Sequence, residues 1–65
     1  MTMANILNYI PQRALPAIRD AWHDDDGYWV MIREGWHVEG DFAEHTIHED
    51  TLAEIRRVAK DIVKD

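Results

Sequence analysis

The chain has 65 residues, three tryptophans, no cysteine and a formal net charge of −6. A chain this short buries only about 60% of the surface its unfolded form exposes, which argues against a deep substrate pocket, and the lack of cysteine excludes a disulfide framework and a thiolate metal site. The charge is uneven: from Asp20 to Asp50 ten acids stand against one base, Arg33, whereas the flanking segments carry Arg13, Arg19, Arg56, Arg57, Lys60 and Lys64. Such a middle segment repels nucleic acid and attracts basic surfaces, so direct DNA or RNA binding is disfavoured.

Residues 1–65 read as one α+β domain with a thin core built on aromatic and aliphatic packing. The longest apolar run, Tyr28 to Ile32, is far short of the roughly 20 residues of a membrane span, and no basic-then-apolar leader opens the chain. The expectation is a cytoplasmic protein that does not enter membranes.

In chain order, Ile6, Leu7, Tyr9 and Ile10 suggest one or two helical turns that Pro11 stops. Leu15, Ile18, Ala21 and Trp22 recur at helical spacing, with Pro16 early in the segment where its missing N–H costs least; a second short helix is expected from Gln12 or Leu15 to Trp22. Gly27 ends the polar loop His23 to Asp26 and can supply a positive backbone angle. Tyr28 to Arg33 is β-branched and aromatic, and Glu34-Gly35 before Trp36 to Glu39 reads as a hairpin. Gly40-Asp41 marks a further turn, after which Phe42 to His48 completes a three-stranded antiparallel meander in the order one, two, three. Thr51 with Glu54 fits a capping box, and Leu52, Ile55, Val58, Ala59, Ile62 and Val63 form one stripe. A C-terminal amphipathic helix from about Asp50 to Val63, packed on the sheet, is therefore expected.

The residues that could carry chemistry point away from catalysis. No serine and no cysteine occurs, so the usual hydroxyl and thiol nucleophiles are missing except for Thr2, Thr46 and Thr51, which lack a triad context. His45 and His48, joined by His23, His37 and Asp24 to Asp26, are conceivable metal ligands. On a strand, however, His45 and His48 point to opposite faces unless a bulge intervenes, and no metal or cofactor is expected. Tyr28 to Ile32 is apolar on both faces: either the N-terminal helices cover what the C-terminal helix does not, or one face is a partner interface extended by Trp36 and His37. The acids Asp24, Asp25, Asp26, Glu39, Asp41, Glu44, Glu49 and Asp50 form the third constellation, either a solvated surface that guards against aggregation or a regular array of negative charge.

The tri-aspartate loop, the short acidic chain and the expected sheet with one terminal helix resemble the small anti-CRISPR proteins of phages and mobile elements. Gly27-Tyr28-Trp29-Val30, Gly35-Trp36 and His45-Thr46-Ile47-His48-Glu49-Asp50-Thr51 are similar to short proteins of such elements over about a third of the chain. The resemblance assigns no role to individual residues. It implies an acidic DNA mimic that lies in the positively charged channel of a CRISPR effector complex, with a type I complex preferred, and blocks target DNA. On this expectation the eight acids above contact the partner's Lys and Arg, and the protein is a monomer or weak dimer. The rival expectations are an antitoxin-like or accessory interaction module docking through Tyr28, Trp29 and Trp36, and a metal-dependent enzyme using His45, His48 or His23 with the acids.

Overall fold

The computed structural model describes residues 3–41 and 45–65. Helix α1 (Met3–Leu7) is followed by a 3-10 helix (Gln12–Ala17) and strand β1 (Ile18–Asp24). Strands β2 (Gly27–Ile32), β3 (Trp36–Val38) and β4 (Thr46–Glu49) precede helix α2 (Leu52–Ala59) and strand β5 (Ile62–Lys64). The α+β class is as expected; the strand pairing differs. One antiparallel sheet has the order β1-β2-β4, and β3 pairs with β5 in a second, two-stranded sheet.

The segment after Pro16 is a strand rather than the helix expected from the spacing of Leu15, Ile18, Ala21 and Trp22. The register shifts between Ile18 and Asp20, and this irregularity turns both Ile18 and Ala21 toward the core despite their odd separation. A bulge thus imitates helical spacing. Leu15, placed on the buried stripe by the same spacing, is exposed, whereas Ala14 and Ala17 are buried.

The hairpin expected between Tyr28–Arg33 and Trp36–Glu39 does not form a sheet. A turn exists, with Trp36 N–H donating to the Arg33 carbonyl at 3.2 Å, but both edges of β2 are already occupied, one by β1 and the other by β4. Strand β3 therefore leaves and pairs with β5, Val38 opposite Ile62 and Trp36 opposite Lys64. The expected third strand, Phe42 to His48, is described only from His45 onward and forms β4; Phe42, Ala43 and Glu44 lie outside the described residues.

The C-terminal helix begins as expected, with Thr51 Oγ1 accepting from Glu54 N–H at 3.2 Å. It ends at Ala59, several residues before Val63. The β-branched pair Ile62-Val63 belongs to β5, where pairing with β3 wins over continuation of the helical stripe. The Arg13 guanidinium, held on the 3-10 helix, donates to the carbonyls of Lys60 and Ile62 and so ties the N-terminal segment to this helix-to-strand junction. At the far end of the small sheet, His37 is buried and its Nδ1 meets the Asp65 carboxylate.

One core serves both sheets. Ile6, Ile10, Ala17, Ala21, Val30, Ile47, Ile55 and Ile62 meet there, with Tyr28, Trp36 and Val38 packed against it from the side. Helix α1 approaches β1 and helix α2 approaches β4 from this same side. Ile55→Ala, which removes a fully buried side chain, is expected to cost about 2–5 kcal/mol. Leu15→Ala is expected to stay within about 0.5 kcal/mol. Paired urea denaturation curves check both, and a large loss at Leu15 would restore the helical arrangement.

Candidate functional site

The β1–β2 connection sets the site. Asp24 pairs with Gly27, leaving Asp25 and Asp26 as the turn, and Asp24 Oδ1 accepts from Asp26 N–H at 2.8 Å, the local bond that makes aspartate a turn residue. Gly27 takes a φ of 126°. A Cβ placed there would lie 2.7 Å from the Glu49 carbonyl oxygen, so only glycine lets β4 come this close to the turn. Tyr28 then pairs with Glu49, and His48 Nε2 lies 2.7 Å from the Asp26 carbonyl.

This register brings Asp24, Asp25, Asp26, Glu49 and Asp50 to one end of the three-stranded sheet, joining two stretches more than twenty residues apart in the chain. Asp41 follows β3 and lines, with His48 and Glu49, a groove of about 620 Å³ along the β4 edge. Glu39 is not part of the group: its N–H donates to the Asp61 carbonyl at 2.7 Å, placing it beside the small sheet. Glu44 lies outside the described residues. Two acids outside the eight expected to contact a partner matter locally. Glu54 acts on Glu49 through a hydrogen bond and its charge, and Asp61 neighbours Glu39.

The opposite end of the sheet is mixed in charge, with Asp20 and Glu34 beside two arginines. Arg19 and Arg33 border a groove of about 450 Å³ together with His45 and Glu34. The excess of acid is thus concentrated at the turn end of the sheet. The charge of Arg57 acts on Glu49.

The two faces of the sheet are as different as its two ends. Ala21, Val30 and Ile47 pair across the strands on the core side. The next row, Trp22, Trp29 and His48, pairs on the other side because side chains alternate. The rings of this row are parallel: Trp22 and Trp29 are 5.8 Å apart at 9°, and Trp29 and His48 are 3.7 Å apart at 5°. Trp29 Nε1–H donates to Asp24 Oδ1 at 3.0 Å. The expected aromatic surface of Tyr28, Trp29 and Trp36 is corrected accordingly. Tyr28 and Trp36 pack against the core, and Trp22, hidden in a segment read as helix, takes their place beside Trp29.

The histidines do not converge. His48 stacks on Trp29, His23 stacks on Tyr28 from the other face at 4.2 Å, His45 borders the arginine groove and His37 meets Asp65. Among the described residues no group of three or more His, Asp or Glu could hold a metal ion, and no buried side-chain nitrogen or oxygen lacks a partner.

Two carboxyls are shifted, in opposite directions. The hydrogen bond from Trp29, aided by the Asp26 backbone N–H, holds Asp24 below the ordinary carboxylate range. Partial burial pushes Glu49 up, reinforced by Glu54 and Asp50 and opposed by Arg57. The folded state therefore holds a proton on Glu49 more tightly than the unfolded chain does, and ionised Glu49 disfavours folding at neutral pH, a penalty relieved as pH falls through its raised pKa. For Asp24 the sign is reversed: its contribution is present above the unfolded value and lost as pH falls through the depressed one. Glu49→Gln is expected to raise the melting temperature at pH 7, with the gain shrinking toward zero as pH falls below the ordinary carboxylate range. Thermal melts at a series of pH values check this, and a gain that persisted at acid pH would show that the charge of Glu49 is not the cause.

No family model, no curated protein and no solved structure matches the chain.

Proposed function

We propose that the chain is an inhibitor that occupies the basic, nucleic-acid-binding surface of a protein complex, its carboxylates standing where phosphates would lie. The observation that carries this reading is the convergence of Asp24, Asp25, Asp26, Glu49 and Asp50 at one sheet end, with Arg19 and Arg33 at the other. An excess of acid at one end orients a molecule in the field of a basic channel and repels phosphate from that end. Channels that hold a guide heteroduplex contact mainly its backbone, so an array of carboxylates can compete for the same Lys and Arg. The sequence resemblance to anti-CRISPR proteins makes a type I CRISPR effector complex, acting in the bacterial cytoplasm, the target to test first. No reaction, metal or cofactor is part of the proposal. Among the described residues no helix is long and apolar enough to cross a membrane.

A second reading, a protein-interaction module that docks through aromatic side chains, is favoured by Trp22 and Trp29, which lie outside the set of side chains packed on the core. The two readings separate by salt. Charge mimicry weakens as ionic strength rises, and aromatic docking does not.

The test is target-DNA binding by a type I effector complex, followed by gel shift with increasing amounts of this protein at low and high salt. Wild-type protein is expected to displace the DNA at low salt. Lysine substitution together at Asp24, Asp25, Asp26, Glu49 and Asp50 is expected to weaken displacement by at least about tenfold, with the circular dichroism spectrum retained. A folded reversed variant that still displaced DNA would rule out charge mimicry, and a wild-type protein without effect at low salt would remove this complex as the target.

A further inference from the structure

Acidity alone does not account for the aromatic row beside it. Trp22, Trp29 and His48 come from three different strands, and their rings lie parallel on the sheet face turned away from the core. They contribute little to that core: Leu7, Tyr28, Trp36, Val38, Leu52 and Val58 are the half-buried apolar side chains packed on it, and neither Trp22 nor Trp29 is among them. Large aromatic side chains left on a sheet face are the composition of an interaction surface.

The rings are also fixed in place. Asp24 takes the indole N–H of Trp29, and His48 Nε2 is held at the Asp26 carbonyl. The turn that gathers the acids is therefore the same turn that locks the ring planes. A ligand that stacks on them need not immobilise them first, which removes part of the entropic cost of binding. Strand β1 is an edge strand with β2 as its one neighbour, so the face of the Trp22 ring away from Trp29 has no cross-strand partner in the row.

We propose that the outer face of Trp22, at the β1 end of the row Trp22–Trp29–His48, is a stacking site for an arginine side chain of the basic partner. This deepens the charge-mimic reading and rests on it. Guanidinium is planar and weakly hydrated, so it stacks on an indole face while its N–H groups reach carboxylates at the rim; a lysine ammonium is a compact, strongly hydrated charge with no plane to stack. The carboxylates are at hand in the Asp25-Asp26 turn and at Asp20, which shares the face of Trp22 two residues along β1. A nucleic-acid base also stacks on tryptophan. Its phosphates, however, would have to pass the acids at this sheet end, and charge complementarity selects the cation.

Two peptides of equal length and charge separate the possibilities, one of four Gly-Arg repeats and one of four Gly-Lys repeats, titrated into the full chain at low salt by calorimetry. The arginine peptide is expected to bind at least about threefold more tightly, the scale of an exposed cation–π contact. Its arginine side-chain protons should move upfield by ring current, and Trp22→Leu with Trp29→Leu should abolish the preference while leaving lysine binding unchanged. The ring-current shift is read on wild-type protein, so the test survives a variant that folds poorly. Equal binding of the two peptides would overturn the stacking site and leave the acidic surface intact. Binding of neither would overturn the acidic reading as well.

Discussion

Strand β2 carries large side chains on both of its faces, and a chain of this size can cover only one. Val30 and Ile32 turn inward and are buried; Trp29 and Met31 turn outward and stay partly exposed. Everything else follows from which face is covered. Both helices, the 3-10 segment and the small sheet gather on the Val30 side, because one shared core buries more apolar area than two half-cores could. The outward face is left to polar restraint, and Asp24 and His48 supply it in place of packing.

The same register that chooses the faces also chooses the ends. With Asp24 opposite Gly27 and Tyr28 opposite Glu49, acids from a turn and from a strand-to-helix junction are brought together, and among the described residues no ion pair holds them. Partial burial raises the pKa of Glu49, and the neighbouring acids Glu54 and Asp50 add to it, so keeping Glu49 ionised costs stability. The close approach at Gly27 and the contact between His48 and the Asp26 carbonyl hold the turn against β4. A surface that keeps its carboxylates crowded at a cost to stability has the physical character of a binding surface. Arginine stacking on the neighbouring rings would relieve the crowding when a partner arrives.

Local signals in the sequence were faithful and pairing signals were not. Thr51 with Glu54 marks the start of α2, Gly27 marks the turn, and the acids of the site are visible as a composition shift. The end of α2 is not legible, because Ile62 and Val63 fit a helical stripe and a strand equally well and the choice is made by β3. Strand β1 is hidden by the bulge at Arg19, which gives Ile18 and Ala21 a helix-like separation. Without β1, β2 has β3 as its nearest partner in the chain, and Trp22 drops out of the surface to which it belongs. Convergence of residues 24–26 with residues 49–50 depends on that missed pairing, so composition shows the acids while only the register shows that they meet.

The central claim is a division of labour between the two sheet faces, one for the core and one for a partner. Backbone and indole amide chemical-shift mapping of the labelled protein, titrated with a basic effector complex, tests it most directly. The account predicts perturbation concentrated at Trp22, the Asp24 to Trp29 segment and His48 to Asp50, with the amides of α2 and of the β3–β5 pair little affected. A footprint centred on α2 or on β3 and β5 would contradict it and would move the partner to the other side of the molecule.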